Sequence, residues 1–77
     1  MDLVSLKAGE KAKFLAVHGR WGMIRRLSTM GIYPGVVITK ISGQFMHGPV
    51  IIQAGNTLLA IGYHMARRML VERIHKN

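Results

Sequence analysis

The sequence predicts a mainly β fold: a small barrel of about five short strands. One amphipathic helix sits between strands one and two, and a short second helical turn precedes strand five. Three observations predict this. Nine glycines punctuate the 77 residues. Between them lie short runs rich in β-branched residues, a spacing that suits a compact barrel. One segment breaks the alternation with apolar residues at helical intervals.

The first strand is predicted over 12–17, with Phe14 flanked by Lys13 and Leu15. The helix follows. Met23, Leu27 and Met30 recur at i, i+4 and i+7 with Ile24 beside them, while Arg25, Arg26, Ser28 and Thr29 fall on the other side. That pattern buries one stripe. Gly31 is placed to cap the helix in the left-handed conformation. Tyr33-Pro34-Gly35 then forms a turn, proline fixing one φ and glycine supplying a positive one. Strand two is predicted over 36–41, strand three over 49–54 and strand four over 57–61. Gly55-Asn56 is the tight hairpin turn between the last two. Val50, Ile52 and Ala54 share one face at period two, as do Leu59 and Ile61. Residues 63–68 form the second helical turn after Gly62, and 69–74 form the closing strand.

A chain of 77 residues predicts one domain, 1–77. Its core is thin, because a domain this small buries only ~60–65% of its unfolded surface. Hydrophobic residues make up 49% and charged residues 18%, too apolar a balance for a disordered tail. There is no cysteine, which excludes a disulfide framework, a zinc ribbon and a thiol nucleophile. An intracellular location is therefore expected. The start, Met1 to Lys7, does not read as a signal peptide, and no apolar run approaches the ~20 residues of a membrane span. Eleven Lys and Arg against three acids give a net charge of +8. Such a surface attracts anions. Nucleic acid, anionic lipid and an acidic protein face all satisfy it.

Arg26-Leu27-x-x-Met30-Gly31-Ile32-x-Pro34-Gly35 closely resembles the signature of FeoA-like proteins. So do Gly48-Pro49-Val50 and Leu59-Ala60-Ile61-Gly62-x-x-Met65-Ala66-x-x-Met69-x-Val71, with Leu6-x-x-Gly9 near the start. The resemblance covers nearly the whole chain. It implies an SH3-like barrel and a cytoplasmic accessory role in bacterial ferrous iron uptake, beside a membrane GTPase permease of the FeoB type. Similar domains end metal-dependent repressors of the DtxR type. The chain has no room for a winged helix, so the resemblance implies the stand-alone form. The matched residues are mostly architectural: Gly31, Pro34 and Gly35 shape the turn, and Leu27, Met30, Val50, Ala66 and Val71 read as core. The chain departs from the pattern at Leu58, where a polar or basic residue is usual. Leu58 is thus a candidate exposed contact.

Catalytic residues are not expected. Asp2, Glu10 and Glu72 are far apart in sequence, and Ser5, Ser28 and Ser42 lie in no nucleophile motif. There is no phosphate-binding loop, so the chain is not itself a GTPase. No cofactor or metal is expected either. His18, His47, His64 and His75 are isolated, whereas a closed site needs four ligands, often in close pairs. A nitrogen and oxygen site would require His47, His64 or Glu72 to converge. The methionines Met23 and Met30 read as core filler.

Binding is the expected activity. Arg20-Trp21 lies just before the helix, Arg25 and Arg26 on its polar face, and Arg67 and Arg68 on the second helix. Tryptophan and arginine are rich in interface hot spots. Trp21, Arg25, Arg26, Leu58, Arg67 and Arg68 are the candidate partner contacts. Trp21 could equally anchor a thin core, and the sequence leaves both roles open. The expected partner is the cytoplasmic domain of the permease, with self-association and peripheral attachment to anionic lipid as further candidates. The alternative is a basic barrel that binds nucleic acid through Arg20, Arg25, Arg26, Lys40, Arg67, Arg68 and Arg73, with Trp21, Tyr33 and Tyr63 for stacking. An aromatic content of 6% and the lack of an RNP-like cluster weigh against it.

Overall fold

The computed structural model describes residues 1–42 and 46–75. The glycine break at Gly43 lies outside the described residues. A 3₁₀ turn, Leu3–Ser5, precedes β1 (Lys11–Val17), α1 (Trp21–Thr29), β2 (Val37–Ser42), β3 (Val50–Ala54), β4 (Thr57–Ile61), α2 (Tyr63–Arg68) and β5 (Met69–Arg73). Each predicted element is present, with β4 and α2 at the predicted bounds and the other strands within one residue, while α1 begins two residues before the predicted Met23 stripe. Every strand pairing is antiparallel, in the order β4-β3-β2-β1-β5. Among the described residues no helix is long and apolar enough to cross a membrane.

The inner face follows from alternation. Ala12 and Phe14, Ile38 and Lys40, Val50 and Ile52, Ile61, and Met69 and Val71 are buried. Leu27 of α1 and Ala66 of α2 seal the ends of this core. Gly31 adopts φ +85° after α1 and Gly35 adopts φ +99° before β2. Both positions favour glycine because a Cβ is strained there. The amide of Ile32 donates to Leu27 O, which folds Ile32 back under the helix end. Thus the turn 31–35 is an architectural device that returns the chain to β2.

The N-terminal segment closes the edge of β5. Asp2 bridges Leu70, and the amide of Val71 donates to Met1 O. The Asp2 carboxylate accepts from the Ser5 amide and so caps the 3₁₀ turn. The other edge strand, β4, has no neighbour on its far side in the sheet order. Glu10 Oε2 lies 3.0 Å from Arg73 Nε, a charge contact without an aligned hydrogen bond.

Lys40 corrects the sequence reading. It was counted with the basic surface, yet it is only 2% exposed. Its ammonium donates to the carbonyls of Leu3, Val4 and Leu6, at 2.9 Å for Val4. The lysine therefore ties the 3₁₀ turn to the sheet; the Leu3 carbonyl also accepts from the Leu6 amide, while the Val4 and Leu6 carbonyls gain their donor from Lys40.

Helix α1 begins without a side-chain cap. Its N-cap residue is Arg20, in an extended conformation, and no acid occurs in its first turn. Arg20→Asp is expected to raise the unfolding free energy by about 1 kcal/mol, since an N-cap carboxylate satisfies a free amide and complements the helix dipole. Urea denaturation checks this.

Candidate functional site

Strand β1 pairs with β2 only across Lys11 to Lys13. Phe14 then bonds the turn instead: its amide donates to Val36 O and its carbonyl accepts from Gly35. Beyond that point β1 keeps β5 as a partner but has lost β2. The register against β5 shifts between Phe14 and Ala16, which leaves Leu15 turned outward. Helix α1 covers the vacated side incompletely. The result is an apolar cleft of about 350 Å³, lined by Phe14 to Val17 of β1, Ile24, Leu27 and Ser28 of α1, and Ile32, Tyr33 and Pro34 of the turn.

Phe14, Leu27 and Ile32 form its buried floor. The rim is open: Leu15 is 43% exposed, Ile24 40% and Tyr33 57%. A second stripe on α1 runs along this opening. Trp21, Ile24, Arg25 and Ser28 recur at i, i+3, i+4 and i+7, on a side of the helix distinct from the Met23, Leu27 and Met30 stripe. Trp21 is 70% exposed. The question left open by the sequence is answered: Trp21 is not a core anchor.

The start of α1 and the end of α2 meet. The amide of His18 donates to Arg68 O at 2.8 Å, and an Arg68 guanidinium nitrogen lies 3.6 Å from Met23 S. Arg20, Arg25, Arg67 and Arg68 are all exposed. His64, Arg67 and Arg68 line a shallow polar recess. No acid occurs between Glu10 and Glu72, so neither helix carries a counter-charge.

The structure divides the candidate contacts. Trp21 and Arg25 share the side of α1 that presents Ile24 and Ser28 to the apolar cleft, without lining it themselves. Arg67 and Arg68 extend that surface onto α2. Arg26 lies on another side of α1, where it lines a recess with Met30, Gly62 and Met65. Leu58 is 64% exposed and sits opposite Gln53 on the outer face of β4, whose alternate residues Leu59 and Ile61 turn towards the core. Leu58 thus belongs to a separate surface. Leu15, Ile24 and Ser28 were not singled out as contacts from the sequence. The i, i+3, i+4, i+7 spacing of 21, 24, 25 and 28 was the available signal.

The histidines do not assemble. His47 stacks on Tyr63 at 4.3 Å between ring centroids, and His64 meets the same ring edge-on at 5.7 Å. Glu72 pairs with Lys13 across β1 and β5. Among the described residues no three His, Asp or Glu side chains approach closely enough to hold a metal ion. Burial holds the Lys40 amine below the usual lysine range, opposed by the negative charges of Asp2 and Glu10.

Comparison with known proteins places this geometry. No curated protein matches the sequence. Among solved structures, an iron uptake regulatory protein (FeoA) is 28% identical with a TM-score of 0.88, over 96% of this chain and 97% of that one. A FeoA from Stenotrophomonas maltophilia, solved with zinc and described as a prokaryotic SH3 domain protein, is 26% identical with a TM-score of 0.78, over 94% and 89%. A manganese-dependent transcriptional repressor shares the fold at 13% identity and a TM-score of 0.86, over 96% of this chain and 41% of the repressor. The fold is therefore SH3-like. The FeoA domain model matches residues 1–73, and on that match the chain belongs to the FeoA family.

Proposed function

We propose that this chain is a non-catalytic, cytoplasmic accessory protein of ferrous iron uptake that docks on a FeoB-type membrane GTPase permease and regulates it. The observation that carries the docking surface is the open apolar cleft between β1 and α1, rimmed by Ile24 and Tyr33, with exposed Trp21 and Arg25 on the same side of α1 as its lining residues Ile24 and Ser28. A recess with a buried apolar floor, an aromatic at its rim and an arginine beside it has the make-up of an interface hot spot. Family membership supports the pathway. The relatives described as an iron uptake regulatory protein and as a candidate activating factor of ferrous iron transport support a regulatory role.

The immobilised chain is expected to retain the permease from solubilised membranes at low and at moderate salt, because the cleft contributes apolar contact that salt does not screen. Retention of no permease at either salt contradicts the reading.

A second reading, a basic barrel that binds nucleic acid, is favoured by the exposure of Trp21 next to Arg20 and of Tyr33. It predicts binding of single-stranded RNA or DNA that falls steeply with salt.

A further inference from the structure

We propose that the end of the molecule formed by the start of α1 and the end of α2 binds the anionic surface of a phospholipid bilayer directly. This goes beyond docking on a permease and does not depend on it.

Three observations converge there. The first is charge. Arg20, Arg67 and Arg68 are exposed at the junction of the two helices, with Arg25 one turn along α1. His18, Tyr63 and His64 are the other titratable groups near this end, the Arg67 guanidinium lying 5.8 Å from the Tyr63 ring centroid, and neither helix carries an acid to neutralise the arginines. The chain's three acids are used elsewhere: Asp2 caps the 3₁₀ turn, Glu10 contacts Arg73, and Glu72 faces Lys13. The second is an exposed interfacial aromatic. Trp21 is 70% exposed at the very start of α1, between Arg20 and the exposed Ile24. Tryptophan belongs at the headgroup level of a bilayer, with aliphatic neighbours reaching further in. The third is arginine geometry. A long stem lets the guanidinium reach phosphate while its methylenes cover apolar surface. A basic surface with an apolar tip matches an anionic interface in both of its properties.

A nucleic-acid strand fits these observations less well. Ile24, one turn from Trp21, offers nothing to a base, and one face of Tyr63 is taken by His47. Among the described residues no aromatic row tracks a groove.

The test uses the whole chain and vesicles with no permease present, so its outcome is separate from that of the docking reading. Trp21 is the sole tryptophan and reports directly. Vesicles containing phosphatidylglycerol are expected to bind at least about thirtyfold more tightly than pure phosphatidylcholine, since each basic side chain near such a surface contributes about fivefold. Binding shifts Trp21 emission to the blue and weakens as salt rises. Arg20→Asp and the pair Arg67→Glu, Arg68→Glu each reduce binding by about fivefold or more. Leu58→Ser, on the outer face of β4, leaves it unchanged. Arg20→Asp keeps the test valid because it favours the folded helix. Equal binding to neutral and anionic vesicles, an unshifted Trp21 emission, or unchanged binding of the arginine variants overturns the proposal. Capture of single-stranded RNA without vesicle binding overturns it in favour of nucleic acid.

Discussion

Lys40→Met is expected to lower the unfolding free energy by about 3 kcal/mol, and thereby the melting temperature by more than about 10 °C. Methionine replaces the buried stem but not the amine. The carbonyls of Leu3, Val4 and Leu6 then lose a common donor, and an unsatisfied buried polar group costs ~1–3 kcal/mol. A change of 1 kcal/mol moves the melting point of a domain this size by ~4–8 °C. The damage is expected to begin locally. The 3₁₀ turn and the Met1–Asp2 cover over β5 depend on those bonds, so amides of Val71 and Ser5 should exchange with solvent first.

The penalty also depends on pH. Desolvation holds the Lys40 pKa below its ordinary value of 10.5. As pH rises, the folded state therefore gives up this proton before the unfolded state does. Across that window the unfolded chain holds more protons, so the lysine's contribution to stability grows with pH. The gap between wild type and Lys40→Met should widen as pH approaches 10.5. Denaturant titrations of both proteins from neutral to alkaline pH check this.

Ile24→Glu is expected to weaken docking on the permease's cytoplasmic domain by at least about tenfold while the domain stays folded. Ile24 is 40% exposed, so a carboxylate there reaches water in the free protein. In the complex it is trapped against the apolar floor of Phe14, Leu27 and Ile32, where an unpaired charge is costly. Leu58→Ser removes more exposed apolar surface but lies outside the cleft, and is expected to leave affinity unchanged. Calorimetric titration of the two variants distinguishes the cleft from general surface hydrophobicity.

The main elements were legible because each has a local cause. Alternation in Val50-x-Ile52 and Leu59-x-Ile61 set the β3–β4 register, and Gly55 at φ +62° set its turn. Helical spacing at 23, 27 and 30 set α1. The 3₁₀ turn Leu3–Ser5 was not legible, because three residues carry no period, although Asp2 before Ser5 was a capping signal. Lys40 was misplaced for an instructive reason. It shares the period-two face of Ile38, which pointed inward, while its charge pointed outward. Pattern outweighed residue type because the carbonyls of Leu3, Val4 and Leu6 converge inside as acceptors for the ammonium. The cleft was illegible for a different reason. It arises where β1 outruns β2 and a bulge re-aims Leu15, and both depend on strand register. Sequence grouped Trp21, Arg25, Arg26 and Leu58 as candidate contacts by residue type, but did not indicate that Arg26 and Leu58 face other directions.

The most direct test of docking through the cleft is to titrate the isotope-labelled chain with the permease's soluble cytoplasmic domain and follow each backbone amide by NMR. The account predicts that the perturbed amides cluster at Leu15, Ala16, Trp21, Ile24, Arg25, Ser28 and Tyr33. No perturbation at all, or a cluster confined to Thr57–Ala60 on the open edge of β4, would contradict it.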